Sequence, residues 1–108
     1  MNKLTLSQYQ QQAKQTAVYP KEKALEYTLL GLSGEVGEIA NKVKKRLRGD
    51  TNTASNSDLQ KELGDVLWYV AMLAQELEAD LGEIAEANLK KLQDRSQRGK
   101  ISGSGDNR

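Results

Sequence analysis

A single proline, Pro20, interrupts this chain of 108 residues, and its near-absence constrains the fold more than any other feature. Proline inside a helix removes a backbone hydrogen bond and clashes with the preceding turn, so a chain almost free of it can form long helices. Leu, Ala, Glu, Lys and Gln, which favour helix, dominate the composition. No segment shows the apolar–polar alternation of a half-buried strand. The sequence therefore predicts an all-α fold, like a four-helix bundle, with residues 1–95 as its single domain.

Helix-start and helix-stop residues place the first two helices. The first should begin after Thr5 or Ser7 and end near Ala17, since both side chains can cap a helix. Pro20 suits the first position of the second helix, where a missing N–H costs nothing. Gly49 suits the position just after its end, where a left-handed backbone is needed.

The second half of the chain has similar signals. After the polar segment 50–56, Ser57 with Gln60 fits a capping box that would open the third helix. Asp80 is a suitable cap for the fourth. The chain then becomes rich in glycine and serine, so we expect residues 96–108 to form a flexible tail.

Both central helices carry an apolar stripe at the spacing i, i+3, i+4. We expect the two stripes to face the core and to pack against each other. The stripe residues are Leu25, Leu29, Leu32, Val36, Ile39 and Val43 in the second helix, and Leu59, Leu63, Val66, Val70, Leu73 and Leu77 in the third.

Composition excludes several kinds of chemistry. The chain contains neither cysteine nor histidine, which rules out disulfides, thiolate or imidazole zinc sites and Ser-His-Asp triads. Catalysis would have to use carboxylates, lysine, tyrosine or a metal-bound water. The net charge of +1 gives no reason to expect nucleic acid or an anionic membrane as a partner. The longest apolar run, 66–74, is far shorter than the ~20 residues that cross a bilayer, so we expect a cytoplasmic protein.

Two pairs of carboxylates stand out, Glu35 with Glu38 and Glu62 with Asp65. Residues three apart share one face of a helix. Glu35 lies roughly 80° from the centre of its apolar stripe and Glu62 about 70° from its own, so both pairs flank the helix interface. If the helices pack together, the four carboxylates can converge, and together they would need a cation between them. Mg²⁺, which prefers oxygen ligands, is the natural candidate.

Solvated residues at the edge of a helix interface would give the same pattern. Four glycines beside the acidic pairs favour a function: Gly31, Gly34, Gly37 and Gly64. Each costs ~1 kcal/mol relative to alanine in a helix interior. They provide either tight helix packing or room for a ligand. A loss of helix stability concentrated beside the acidic pairs is typical of a functional site.

Five cations end the second helix: Lys42, Lys44, Lys45, Arg46 and Arg48. Cations there complement the partial negative charge of a helix C-terminus, and binding of a triphosphate is the alternative. Trp68 is expected on the side of the third helix away from the acidic pair. It would pack in a subunit interface or against the first helix rather than stack on a base.

Segments 34–38 (Gly-Glu-Val-Gly-Glu) and 62–69 (Glu-Leu-Gly-Asp-Val-Leu-Trp-Tyr) resemble the ExxE…ExxD signature of the MazG-like nucleoside triphosphate pyrophosphohydrolases. These enzymes belong to the all-α NTP pyrophosphatase superfamily. Segment 88–95 resembles their Asn-x-x-Lys-Leu-x-x-Arg pattern. The resemblance covers roughly residues 25 to 95, and the paired acidic motif is its most specific part.

The resemblance implies Mg²⁺-dependent cleavage of (d)NTP to (d)NMP and pyrophosphate, with Mn²⁺ as a substitute metal, by a homodimer or a dimer of dimers. It assigns metal binding and catalysis to Glu35, Glu38, Glu62 and Asp65. It assigns nucleoside contact to Tyr69 and phosphate contact to Asn88 and Lys91, and it includes Arg95 among the substrate-binding residues.

Two alternatives remain at this point. A non-catalytic helical module, of an antitoxin or adaptor kind, would use the acidic flanks to meet a basic partner and would not depend on metal. A phosphoribosyl-ATP pyrophosphohydrolase would keep the fold and change the substrate. Pyrophosphate release from a panel of triphosphates, with and without Mg²⁺, separates the three.

Overall fold

Four α-helices make up the part of the protein that the computed structural model describes, residues 3–50 and 55–99. They are α1 (Leu6–Lys14), α2 (Ala24–Leu47), α3 (Asn56–Glu76) and α4 (Leu81–Gln97), and a 3₁₀ turn (Lys21–Lys23) precedes α2. The described residues contain no strand, so the predicted all-α class is confirmed. Helix α4 continues two residues into the predicted tail, whose residues 100–108 lie outside the described part.

The first helix begins where the sequence predicts and ends earlier. Thr5 Oγ1 accepts a hydrogen bond from the Gln8 amide, and the Gln8 side chain accepts one from the Thr5 amide, which completes a capping box. The predicted end near Ala17 is wrong, because α1 ends at Lys14. Beyond that residue the backbone bonds span three residues instead of four, and the Ala13 carbonyl accepts from both the amide of Thr16, at 2.9 Å, and its Oγ1, at 2.7 Å.

The two ends of α2 differ in how well they match the prediction. Pro20 is not the first residue of this helix: it precedes the 3₁₀ turn, and α2 starts at Ala24. Gly49 does follow the C-terminal end, with φ of +90°. Its amide donates to the Arg46 carbonyl and the Asp50 amide donates to the Lys45 carbonyl, the two hydrogen bonds of a Schellman motif.

The predicted cap of α3 is wrong by two residues. Ser55, not Ser57, is the N-cap, and its Oγ accepts from the Asp58 amide at 3.1 Å. Asp58 Oδ2 accepts in return from the Ser55 amide, so the box uses Asp58 rather than Gln60. These hydrogen bonds favour the ionised carboxylate and hold the pKa of Asp58 below its usual value.

Helix α1 joins the turn between α3 and α4 through buried Gln10. Its Nε2 donates to Gln75 Oε1 and to the Ala79 carbonyl, and its Oε1 accepts from the Leu81 amide at 2.7 Å. Asp80 caps α4 as predicted, and its Oδ2 also accepts from a serine hydroxyl of α1, at 2.8 Å. These bonds satisfy the polar groups that burial would otherwise leave unpaired.

The apolar core of the protomer is small. It consists of Ala13, Ala71, Met72 and Leu81, with Tyr9, Ala17, Tyr19, Trp68 and Val70 packed against it. It lies where α1 crosses the C-terminal half of α3. The N-terminal half of α3 and the C-terminal half of α2 pack on each other beyond this core.

The predicted orientation of the apolar stripes is wrong for about half of their residues. Leu25 is 47% exposed, Val36 51% and Leu63 59%, although all three were expected to face the core. The face of α2 that packs inward instead carries buried Ala24 and Thr28. Periodicity identifies which face of a helix is apolar, but here only part of that face, including Val70 against the core, is covered within the described protomer. No helix of the described residues combines the length and the hydropathy needed to cross a membrane.

Candidate active site

The seam between α2 and α3 forms the largest helix–helix contact of the protomer. Its cross-helix neighbours run in opposite orders along the two helices, so the helices are antiparallel. These neighbours are Gly31 with Tyr69, Glu35 with Glu62 and Asp65, Lys42 with Glu62, and Arg46 with Asn56. The residues of α2 in this series lie near one face of the helix, because their spacings of four, seven and four are close to whole turns.

Three carboxylates meet in the middle of the seam. One oxygen each of Glu35, Glu62 and Asp65 lies within 4.8 Å of the other two. Oxygen ligands of one octahedral Mg²⁺ are about 3.0 Å apart when adjacent and about 4.2 Å apart when opposite, so the three oxygens would have to move inward to share one ion. Glu35 and Glu62 are half-buried and Asp65 is exposed, which leaves one side open to a ligand. The donor set, all hard oxygens, fits Mg²⁺ or Mn²⁺.

The electrostatics of the group also point to a cation. Burial raises the pKa of Glu35, and so do a hydrogen bond with Glu62 and the negative charges of Asp65, Glu62 and Glu38. A carboxyl group whose pKa is raised by its neighbours is one whose charge is incompletely compensated. A divalent ion would supply the missing positive charge.

Glu38 is not part of this group of three. It is exposed, and its charge is the weakest of the influences that raise the pKa of Glu35. The i, i+3 spacing places it on the same side of α2, but one turn farther along, where its oxygens are not within the same distance of the other three. The structure thus brings together three of the four predicted carboxylates.

An open cleft of about 410 Å³ lies beside the carboxylates. Thr16, Glu35, Asp65, Trp68 and Tyr69 line it. The prediction that Trp68 lies away from the acidic residues is wrong, since it shares this cleft with two of them. The prediction that it packs against the first helix holds in part, because it contacts the core beside Ala13, and its Nε1 donates to Thr16 Oγ1 at 2.8 Å just beyond α1.

Tyr69 is held in place on several sides. A Cβ added to Gly31 would lie 2.7 Å from its Cδ1 and closer still to Cε1 and Cζ, so only glycine fits beneath the ring. The rings of Tyr69 and Trp68 meet edge to face, with centroids 5.0 Å apart. Burial raises the pKa of the Tyr69 hydroxyl, and its interaction with Tyr27 adds to the rise. Of the four glycines beside the acidic pairs, only Gly31 is required by close packing, since Cβ atoms added at Gly34, Gly37 and Gly64 would meet nothing within 4 Å.

The predicted substrate residues of α4 do not line this cleft. Asn88 and Lys91 border a different pocket, of about 340 Å³, with Ile84 and Ala87. Arg95 is 3% exposed. Helix α4 packs chiefly on α1 and not along the α2–α3 seam.

Three residues outside the predicted site set lie at the site, and only one of them, Lys42, is a candidate from the sequence. Lys42 Nζ lies 3.3 Å from Glu62 Oε1, and its position four residues after Glu38 could have pointed to it. Thr16 and Tyr9 reach the site from α1 and the segment after it. Burial raises the pKa of Tyr9, and the negative charge of Asp65 adds to the rise. No spacing within α2 or α3 signals these two residues, because they depend on how α1 crosses the bundle.

Known proteins that are similar to this chain identify its family. The family model of the MazG nucleotide pyrophosphohydrolase domain matches residues 23–99. The chain belongs to this family. The match contains all eight predicted site residues and excludes α1, so Thr16 and Tyr9 lie outside the MazG match. The chain is also similar to the Gene 37 protein of Mycobacterium phage L5, with 51% identity over 109 residues, covering 93% of this chain and 96% of the phage protein. No solved structure matches the chain significantly.

Proposed function

We propose that this MazG protein is a Mg²⁺-dependent pyrophosphohydrolase that converts a (d)NTP to the (d)NMP and pyrophosphate. The observation that carries the proposal is the grouping of Glu35, Glu62 and Asp65 beside a cleft lined by two aromatic rings. Carboxylates that hold a divalent ion suit the phosphates, and aromatic rings suit a nucleobase. Family membership supports the same reaction class.

The residues of the chain supply positioning and charge. Glu35, Glu62 and Asp65 would hold the ion, which when bound neutralises phosphate charge and lowers the pKa of water. Water attacks phosphorus at the α–β linkage, a P–O bond forms, and the bridging P–O bond breaks so that pyrophosphate leaves with the electron pair. The water's proton passes to a carboxylate, and Glu38, beside the group but outside it, is available for that task. Mn²⁺ would replace Mg²⁺ with the same ligands.

The nucleoside would occupy the cleft. Trp68 and Tyr69 offer edge-to-face rings, and Thr16 and the Tyr69 hydroxyl offer hydrogen-bonding atoms at its border. Asn88 and Lys91 remain predicted phosphate contacts, and Arg95 remains a predicted substrate-binding residue. Since α4 packs on α1, Asn88 and Lys91 would reach the phosphates from a second subunit or after α4 moves.

We also propose that the protein is a homodimer or a dimer of dimers. The outward apolar faces of α2 and α3 support this, since Leu30 is 70% exposed and Leu63 59%. Large apolar side chains exposed in this number are typical of an interface. Sedimentation at micromolar concentration should show a species larger than one 12.0 kDa chain, and a stable monomer would contradict the proposal. The expected partner is another copy of the chain, and we expect neither nucleic acid nor a membrane as a partner. The expected location is the cytoplasm.

The decisive experiment measures pyrophosphate release from a panel of ribo- and deoxyribonucleoside triphosphates, with and without Mg²⁺. Glu35→Gln, Glu62→Gln and Asp65→Asn keep side-chain size and remove one charge each. Each should lower the rate about a hundredfold or more, because several kcal/mol of transition-state stabilisation depend on a positioned metal. Glu38→Gln should also be impaired. The carboxylates act as a unit, so a double variant should be little worse than the worse single one.

Glu86→Gln is the matched control, because Glu86 is exposed on α4 and its loss removes the same charge. It should retain most of the activity. Rates within about twofold of wild type for all the amide variants would contradict the carboxylate site. Release from phosphoribosyl-ATP alone would assign the alternative substrate, and no metal-dependent release from any substrate would favour a non-catalytic module.

A further inference from the structure

The cation Lys42 lies at one end of the row of carboxylates in the α2–α3 seam. Its Nζ is 3.3 Å from Glu62 Oε1, and both side chains are largely buried, with exposures of 23% and 19%. Most surface lysines extend into water, where pairing with a carboxylate is worth little. Lys42 instead gives up much of its hydration to contact a carboxylate that also belongs to the group of three.

The seam has a direction. Tyr69 and Gly31 lie at one end, the carboxylates follow, and Lys42 comes next. Along α2, the distance from the level of Gly31 to that of Lys42 is about 16 Å, at ~1.5 Å per residue. A ring-lined cleft, an oxygen-rich metal site and an ammonium group thus follow one another in a line. A nucleoside triphosphate has the same three parts in order: a base, the phosphates at which it is cleaved, and a terminal anionic group.

We infer that Lys42 binds the departing pyrophosphate end of the substrate and so fixes the direction in which a triphosphate lies along the seam. The inference rests on the proposed function and adds a residue and a polarity to it. With no ligand, Glu62 is the partner of Lys42. With metal bound, Glu62 shares its charge with the ion, and the phosphate oxygens become the better partner for the ammonium.

This arrangement makes the effect of Lys42 depend on what is bound. An ion held by Glu62 Oε1 at ~2.1 Å would lie at most about 5.4 Å from the ammonium. Two positive charges so close repel each other, so Lys42 weakens the binding of Mg²⁺ alone. A pyrophosphate group removes the repulsion and adds a charge-assisted hydrogen bond. If Lys42 only formed a structural ion pair, its removal would not strengthen Mg²⁺ binding and weaken pyrophosphate binding.

The test uses the full chain and isothermal titration calorimetry. Lys42→Met should bind Mg²⁺ alone about tenfold more tightly than wild type at low salt, as Coulomb's law gives in water at this separation. The same variant, loaded with Mg²⁺, should bind pyrophosphate about ten- to a hundredfold more weakly, the loss expected for a hydrogen bond between charged groups. Its affinity for a nucleoside monophosphate should change by less than about twofold, because that product lacks the pyrophosphate end.

Lys44→Met is the control, since Lys44 is exposed on the same helix and its loss changes the net charge equally. Both of its affinities should stay within about twofold of wild type. Lys42→Arg keeps the charge and should restore pyrophosphate binding. In turnover, Lys42→Met should raise the KM for a triphosphate more than it changes kcat, and a melting curve of each variant checks that it is folded.

Two results would overturn the inference: Mg²⁺ binding that is unchanged or weaker in Lys42→Met, or pyrophosphate binding within twofold of Lys44→Met. These results are separate from failure of the proposed function. If wild type releases no pyrophosphate from any triphosphate, the function fails, while the two titrations still decide the role of Lys42. If wild type is active and Lys42→Met matches it in KM and pyrophosphate affinity, the function stands and the role of Lys42 fails.

Discussion

Replacing Gly31 with alanine tests whether the ring of Tyr69 is fixed against α2. In a helix interior glycine costs ~1 kcal/mol relative to alanine, so the change would ordinarily stabilise the protein. At this position the new Cβ would lie 2.7 Å from Tyr69 Cδ1 and closer to two other ring atoms. Overpacking of this kind costs ~1–3 kcal/mol. The two effects together give a result between no gain and a loss of about 2 kcal/mol.

Gly37→Ala is the matched control. It lies in the same helix, and its Cβ would meet nothing within 4 Å, so the propensity gain should appear undiminished. We therefore expect the two variants to differ by ~1–3 kcal/mol. At about 4–8 °C per kcal/mol for a domain of this size, Gly31→Ala should melt at least ~4 °C below Gly37→Ala. Thermal unfolding followed by circular dichroism measures the difference.

A double-mutant cycle shows whether the ring itself is responsible. In a Tyr69→Ala background the clash disappears, and Gly31→Ala should then become stabilising. Because Tyr69 lines the proposed nucleoside cleft, Gly31→Ala should also weaken triphosphate binding, and Gly37→Ala should not. Equal melting temperatures for the two alanine variants, or the same effect of Gly31→Ala with and without the ring, would refute the reasoning.

Three further predictions follow from individual side chains. Burial and neighbouring carboxylates raise the pKa of Glu35, so the folded state binds that proton more tightly than the unfolded state does. Without metal, the stability of the protein should therefore fall as pH rises from the ordinary value of 4.5 through the raised pKa. Glu35→Gln should flatten this part of a plot of melting temperature against pH, and it should reduce the rise in melting temperature that millimolar Mg²⁺ produces. Ser55→Ala should cost about 1 kcal/mol in denaturant unfolding, whereas Ser57→Ala, inside the helix, should cost almost nothing. Burial, together with a 2.9 Å hydrogen bond to Glu76, raises the pKa of Tyr19 to about 12. The contribution of Tyr19 to stability should therefore be lost as pH rises from 10 towards 12. Tyrosine absorbance should show Tyr19 titrating at a lower pH in Glu76→Gln.

Local signals in the sequence were sufficient to predict the four helices and some of their ends. Gly49 ends α2 because a Schellman motif needs a left-handed residue, and this requirement can be read from one position. The cap of α3 was harder, since Ser55 and Ser57 are both suitable and the choice depends on which residue three positions later bonds back. Asp58 bonds back to Ser55, whereas the sequence signal used for the prediction paired Ser57 with Gln60.

Long-range features could be predicted only in part. The expected packing of the two central helices placed Glu35 near Glu62 and Asp65, but which oxygens meet depends on the rotation of α2 and α3 about their axes. That rotation is set by contacts such as Gly31 with Tyr69, which have no signature in either helix alone. For the same reason Trp68 was placed on the wrong side.

The orientation of the apolar stripes has a consequence for stability. The largest helix–helix contact of the protomer contains three carboxylates at its centre, while Val36 and Leu63 face outward. Like charges at the seam oppose the packing of α2 on α3, and the core beside α1 is too small to be the main source of stability. Two ligands can correct this imbalance, a divalent ion at the seam and a second copy of the chain on the apolar faces. The melting temperature should therefore rise with Mg²⁺ and, separately, with protein concentration. Removing a seam charge should weaken only the first dependence, and a charge placed at Leu63 should weaken only the second.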